Sequence, residues 1–236
     1  MNTTIPVLTV ANPIDMTWSH VSCTVLSSSK YGLPYDRVKV LHEIGLASPL
    51  TQDESFYAPA VGRPIDVRTV YPDGNIVTFV GQRFADLQDE LSKYGQAVAS
   101  GNLDELNRLH ELFKSVAMLT PVLFKQGTQV LTFEYELALH PMAEDSTDFE
   151  LTLLAPMPSF RPVGQSQITV LITLPSPNNV GFGATVIEKN GYAFDPATGQ
   201  VTGEVPLQLE QDYGLRKVLV WNWQQDPYFR VHYRYN

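Results

Sequence analysis

The chain has 236 residues, of which 44% are hydrophobic and 17% are charged, and its formal net charge is −9. This length is enough for a domain with a sizeable core, and the apolar share excludes disorder of the whole chain. The negative charge, with only 16 Lys and Arg residues, argues against a nucleic-acid surface, because binding phosphates needs clustered cations.

Residues 1–64 predict an extended, irregular N-terminal arm. Short apolar runs are interrupted here by Pro13, Gly32, Pro34 and Pro49. Extended arms of this kind wrap a neighbouring subunit or lie across their own domain. Further along, Pro72-Asp73-Gly74-Asn75 between two β-branched runs predicts a hairpin turn, because Pro presets φ and Gly accepts a positive φ.

Cys23 falls within this first segment and is the only cysteine. One thiol excludes an internal disulfide and a cysteine-based zinc site. The residues around Cys23 have the pattern of a strand, which predicts a buried, inert thiol.

The sequence predicts one strongly helical part of the chain, at about residues 82–119. Apolar residues recur at helical spacing in two stripes, the first from Phe84 to Val98 and the second from Leu103 to Val116. Gly101 between the stripes is suited to a left-handed helix cap. We therefore predict a two-helix hairpin inserted between β segments.

Residues 122–236 form the main β region. Val130–Leu139 and Gln167–Leu174 alternate between apolar and polar residues, and Lys189-Asn190-Gly191 predicts a tight hairpin turn. Strands at this spacing favour a mainly β fold (α+β by count), an antiparallel β-sandwich or jelly-roll-like fold. We predict that residues 1–236 form a single domain.

The final predicted strand, Tyr228–Tyr235, alternates between an aromatic face and a basic face. We expect the aromatic face in the core, and the simplest role of the basic face is contact with water. The alternative is that opposite charges across a subunit boundary fix partner and register, and that this terminal strand adds to a neighbour's sheet. The candidate interface residues are Arg230, His232 and Arg234 with Glu134, Glu136 and Glu150.

Three alternative sites involve other side chains. Glu134 and Glu136, with Cα atoms about 6.5–7 Å apart on one strand, could act as the paired carboxylates of a glycoside hydrolase. An acidic loop could offer oxygens to Ca²⁺ through Glu144, Asp145 and Asp148. Aromatic side chains could stack on sugar rings, namely Trp221, Trp223 and Tyr228. For the two acidic sets, a solvated polar face and a solvated turn are the alternatives.

No nucleophile elbow, phosphate loop or metal-binding motif is present in the sequence. By exclusion, we predict a non-enzymatic structural protein that self-assembles into a larger particle or filament through sheet edges and extended termini. A virion capsid or tail, or a surface-assembly subunit, fits this description. A carbohydrate- or protein-binding β-sandwich module is the alternative, and a glycoside hydrolase using paired Glu is the third hypothesis.

The expected partners and location follow from the same features. We expect copies of the chain or other structural subunits as partners, no nucleic acid and no cofactor. No segment approaches the roughly 20 apolar residues of a membrane helix, and the N-terminus lacks the pattern of a secretory signal. The sequence therefore predicts no membrane insertion, with cytoplasmic synthesis compatible with later incorporation into a virion or an extracellular assembly.

Overall fold

The computed structural model consists mostly of β-strands. It describes residues 12–57, 63–68, 82–83, 92–93, 95–103, 106, 122–143, 146–154, 159–194, 201–224 and 227–236. The strands are β1 (Ile14–Leu26), β2 (Asp36–Leu46), β3 (Glu54–Tyr57), β4 (Arg63–Arg68), β5 (Gln82–Arg83), β6 (Val122–Phe124), β7 (Val130–Leu139), β8 (Asp148–Leu154), β9 (Phe160–Pro175), β10 (Ala184–Phe194), β11 (Val201–Val205), β12 (Leu207–Tyr213), β13 (Arg216–Trp223) and β14 (Pro227–Tyr235). A 3-10 helix, Ser28–Tyr31, connects β1 to β2.

The described strands form three sheets. The largest has seven strands in the order β12-β13-β9-β1-β2-β7-β4, the second has the order β11-β10-β14-β8, and the third has the order β5-β3-β6. β1 and β9 run parallel, whereas the other pairs are antiparallel. The mainly β prediction is confirmed, and the expectation of wholly antiparallel sheets is wrong at this one pair.

The N-terminal third is not an irregular arm over the residues that the structure describes. β1 and β2 are neighbours in the largest sheet and pair over most of their length. Pro13, Pro34 and Pro49 all lie outside these two strands, so they separate strands and do not interrupt one. The prediction failed because proline was counted as a sign of irregularity without regard to its position between apolar runs.

The buried core contains residues from both the seven-stranded and the four-stranded sheets. Trp221 on β13 contacts Phe229 on β14 with ring centroids 5.2 Å apart, and both side chains are buried. The three-stranded sheet adds Phe56, whose ring stacks on Phe160 of β9 at 5.4 Å. The predicted aromatic face of β14 is confirmed as core, because Val231, Tyr233 and Tyr235 are buried as well.

The inserted two-helix hairpin is not supported. Among the described residues of 82–119, residues 92–93, 95–100, 103 and 106 are helical, and Gln82–Arg83, at the predicted start of the hairpin, is a strand. Gly101 follows the helix with φ +68°, as expected of a left-handed cap. The rest of the predicted hairpin, and the turn predicted at 72–75, lie outside the described residues.

The hairpin turn predicted at residues 189–191 is wrong. β10 runs without a turn from Ala184 to Phe194, and Gly191 pairs with Phe229 on one side and Val205 on the other. A Cβ atom at Gly191 would lie 2.9 Å from the Cβ of Val205. Glycine therefore allows a close approach between strands here, which the sequence pattern does not distinguish from a turn.

Candidate functional site

The basic face of β14 is neutralised within the chain. The Arg230 Nε donates to Glu150 Oε2 at 2.6 Å, and both His232 Nε2 and Arg234 Nε lie 2.8 Å from Asp148 Oδ1. Hydrogen bonds from Arg234 and then His232 hold the pKa of Asp148 below its usual value. The predicted pairing of this row with Glu150 is therefore present, but across neighbouring strands of one chain.

β14 is an internal strand, not a free terminal one. It pairs with β10 along one side and with β8 along the other. Both rows of backbone hydrogen-bonding groups are thus used, so the strand addition predicted for the C-terminal strand is wrong. Removing this strand would take the centre out of the four-stranded sheet.

The two other predicted acidic residues lie on a different sheet. Glu134 and Glu136 are on β7, in the seven-stranded sheet, so they do not meet the basic face of β14. Glu136 forms an ion pair with Arg37, and its Oε1 lies 3.6 Å from the Nζ of Lys39. The carboxylate proposed for hydrolase chemistry is therefore held by two cations of β2, while Glu134 is exposed.

The three candidate stacking aromatics have different environments. Trp221 is fully buried, so its ring is not available to a ligand and this part of the prediction is wrong. Tyr228 is half-buried and lies 6.1 Å from the ring of Tyr192. Trp223 is partly buried at the edge of the core and keeps some exposed surface.

The candidate calcium loop is only partly described. Glu144 and Asp145 lie outside the described residues, and the Asp148 carboxylate is occupied by His232 and Arg234. Within the described residues, no group of three His, Cys, Asp or Glu side chains is placed to hold a metal ion. Cys23 is buried in β1, and burial raises the pKa of its thiol, as expected for an inert cysteine.

A buried carboxylate that sequence reasoning missed connects the two large sheets. Asp36, at the start of β2, is fully buried. Its Oδ2 accepts hydrogen bonds from the hydroxyls of Tyr233 at 2.7 Å and Tyr235 at 2.6 Å. Its Oδ1 accepts from the backbone N–H of Ser29 at 3.0 Å and from the Ser29 hydroxyl at 2.6 Å. We call these four residues the Asp36 network.

The Asp36 network has an electrostatic consequence. Burial, followed by the nearby Asp36 charge, raises the pKa of both Tyr233 and Tyr235, so both phenols remain protonated donors. The burial of Asp36 could have been predicted from the sequence, because Asp36 is in phase with Val38 and Val40, which are buried. An Asp on the inward side of an alternating strand needs hydrogen-bond partners.

A cleft of about 730 Å³ lies above this network. Phe149, Tyr235, His140 and Met142 are among its lining residues. The Lys30 Nζ lies 4.9 Å from the centre of the Tyr235 ring.

A second buried polar pair joins β1 and β2. The Ser19 hydroxyl lies 2.8 Å from His42 Nε2, and both residues are buried. Burial, with a smaller effect of the nearby His20, lowers the pKa of His42 to about 3. His42 is therefore neutral at physiological pH and acts as a core residue.

Comparisons with known proteins leave the function open. No family model matches the chain, and no curated protein matches it. Among solved structures, it is similar to an M1 zinc metallopeptidase from Deinococcus radiodurans, with 12% identity and a TM-score of 0.34, over 94% of this chain and 43% of that chain. A mutant of that enzyme gives 12% identity and a TM-score of 0.35, over 98% of this chain and 44% of that chain.

The chain thus spans less than half the length of these metallopeptidase chains. Because both TM-scores are below 0.5, the similarity supports no conclusion about function. No helix in the described part of the chain is long and apolar enough to cross a membrane.

Proposed function

We propose that this protein is a non-enzymatic structural subunit that associates with copies of itself through the outer face of its seven-stranded sheet. The observation that carries the proposal is a row of side chains on that face, running across neighbouring strands in register. The row consists of Leu209 on β12, Val220 on β13, Leu171 on β9, Ser22 on β1 and Leu41 on β2. We call it the outer apolar row.

The outer apolar row is distinct from the core. Val220 lies between the buried residues Leu219 and Trp221, so its side chain points to the opposite face. Leu41 and Leu171 likewise alternate with buried neighbours on β2 and β9. The four-stranded sheet covers one side, and the partial exposure of Leu41, Leu171 and Val220 makes the other side available to a partner.

Face-to-face contact is favoured over edge-to-edge pairing, because the edge strand β12 carries inward-pointing charges. Lys217 on β13 is almost fully buried and lies 3.2 Å from Glu210 and 3.3 Å from Asp212 on β12. Hydrogen bonds from Lys189 and Lys217 lower the pKa of Glu210, against its partial burial. Inward charges of this kind protect an edge from pairing with a second sheet.

A second copy of the chain is the occupant that fits the charge distribution. The outer apolar row ends at Glu134, and the adjacent row contains Lys39 and Glu136, so both signs of charge border the apolar strip. Two copies related by a twofold axis present the same patch to each other. The net charge of −9 opposes association at long range, and salt screens this repulsion.

We also infer that the two larger sheets form a β-sandwich, supported by the Trp221–Phe229 contact and the Asp36 network between them. The helical hairpin over 82–119 stays a prediction from its apolar stripes. Growth of a self-associated pair into a virion component or a filament also stays a prediction.

The test is the oligomeric state in solution. Size-exclusion chromatography with light scattering, over a range of concentrations and ionic strengths, should show association that strengthens with salt. Leu171→Glu, on the outer apolar row, should shift the equilibrium toward monomer. Ile187→Glu, at a position 46% exposed on β10 of the other sheet, is the matched control and should leave it unchanged.

Two results would count against this proposal. The first is a strict monomer at all concentrations and salt levels. The second is that the Leu171→Glu variant melts as wild type and still associates, whereas the Arg230→Gln variant does not associate. That result would place the contact on the β14 face instead.

A further inference from the structure

A polar cleft lies where β9 and β13 reach the same end of the seven-stranded sheet. Its volume is about 480 Å³. Its lining consists of Gln165, Ser166, Gln167, Asn222, Trp223 and Gln224. We call it the amide cleft, because four of these six side chains are carboxamides and none is ionisable.

The chemistry of the amide cleft matches a neutral, hydroxyl-rich ligand. A carboxamide both donates and accepts hydrogen bonds, as a sugar hydroxyl does. Because none of the described lining residues is a cation, they offer no ion pair to a phosphate or a carboxylate. A neutral ligand also avoids repulsion from a protein of net charge −9.

Two of the polar groups are already oriented. The Thr169 hydroxyl donates to Asn222 Oδ1 at 2.9 Å, which leaves the Asn222 amide hydrogens for a ligand. The Ser166 hydroxyl donates to the backbone carbonyl of Gln224 at 3.2 Å, which ties the Gln224 backbone to β9. Pre-oriented groups lose less conformational entropy when a ligand binds.

The indole of Trp223 adds a polar group that lacks a partner. Its Nε1 is buried and has no hydrogen-bond acceptor among the residues that the structure describes. A buried donor without an acceptor is costly, and such groups in native proteins are rare. Trp223 is in phase with the buried Trp221, so this nitrogen lies on the inward side of β13 and marks the inner wall of the cleft.

An exposed aromatic ring lies on β1, the strand next to β9. Trp18 on β1 is paired with Gln167 and is 37% exposed. Its indole lies against the backbone of Gly45, where a Cβ atom would come within 2.0 Å of the Trp18 Nε1. Glycine thus provides the space that holds this ring against the sheet. A fixed, exposed indole is a suitable surface for the apolar face of a sugar ring.

We propose that the amide cleft binds a neutral oligosaccharide, with the hydroxyls of one sugar hydrogen-bonded to Gln165, Gln167 and Asn222 and a neighbouring sugar ring stacked on Trp18. The site does not depend on self-association, because Gln167 lies four residues along β9 from Leu171, about 13 Å from the outer apolar row. Trp223 was a candidate from the sequence, whereas Trp18 gained its role only from the pairing of β1 with β9.

The test is a screen of the full-length protein against immobilised neutral glycans, including β-glucans, mannans, galactans and chitin oligomers, followed by titration calorimetry with any oligosaccharide that binds. Trp18→Ala should weaken binding by about tenfold, since the stacking surface is lost. Gln167→Ala, at an exposed position, should weaken it several-fold without affecting the fold. Tyr213→Ala, which removes a 55% exposed aromatic on β12, should bind as wild type.

Absence of binding to every neutral glycan would overturn the proposal. So would a glycan whose affinity is the same for wild type, Trp18→Ala and Gln167→Ala, because it would bind elsewhere. Preference for acidic glycans alone would contradict the assignment of an uncharged ligand. Thermal melts of each variant separate loss of the site from loss of the fold.

Discussion

The Asp36 network allows a quantitative test of what joins the two large sheets. Tyr233→Phe removes one hydroxyl and keeps the ring, which stacks on Phe149 at 5.4 Å. The lost bond is a buried hydrogen bond of 2.7 Å to Asp36, and a bond to a charged group contributes about 1.5–3 kcal/mol. For a chain of this length, this corresponds to a decrease in Tm of roughly 3–12 °C.

The measurement is urea unfolding followed by tryptophan fluorescence, with the free energy of unfolding extrapolated to water. Tyr235→Phe should give a similar loss. The double variant should lose more than the sum of the two, because each single variant leaves Asp36 Oδ2 one donor and the double variant leaves a buried charge without either tyrosine hydroxyl.

The matched control is Tyr213→Phe. The Tyr213 hydroxyl also donates to a side-chain oxygen, that of Gln211 at 2.9 Å, but the residue is 55% exposed. Its removal should change the free energy of unfolding by less than about 0.5 kcal/mol. If Tyr233→Phe proved as stable as Tyr213→Phe, the buried carboxylate would not stabilise the contact between the sheets, and the reasoning would be refuted.

Two further predictions concern other buried positions. The pKa of His42 is lowered to about 3 in the folded state, so as the pH falls the unfolded chain is protonated at His42 before the folded chain is. The contribution of His42 to stability is therefore complete above about pH 6.5 and is lost as the pH falls toward 3. Between about pH 7 and pH 5, the free energy of unfolding should fall by on the order of 2 kcal/mol because of His42. Urea unfolding at both pH values should show a smaller fall for His42→Gln than for wild type. An equal fall in the two proteins would contradict this role of His42. Gly191→Ala should destabilise the protein by about 1–3 kcal/mol, because the new Cβ would lie 2.9 Å from the Cβ of Val205. Gly203→Ala is the control, since open space surrounds Gly203. Equal melting temperatures of the two variants would show that the strands move apart freely.

The strands from residue 122 onward were largely predictable from the sequence. Val130–Leu139 was predicted with its observed bounds, and the alternation of Phe229 to Tyr235 identified the buried face of β14. This was possible because a strand between a core and solvent repeats every two residues. The same argument identifies Cys23 as a buried thiol.

The local signals failed where distant residues decide the outcome. Asn190-Gly191 has the composition of a hairpin turn, yet Val205 and Phe229 occupy the space beside Gly191 and extend the strand through it. Similarly, the prolines near β1 and β2 suggested an arm, although the strands between them supply the centre of the largest sheet.

The sequence by itself determined the mainly β class, the buried face of the final strand and the absence of any recognisable catalytic motif. Only the tertiary structure decided which charges meet and which remain free. Periodicity shows the face on which Arg230 or Glu136 lies, but the order of strands in a sheet assigns their partners. That order brought Glu150 to Arg230, Arg37 to Glu136 and Trp18 to Gln167, and it comes from contacts between residues far apart in the chain.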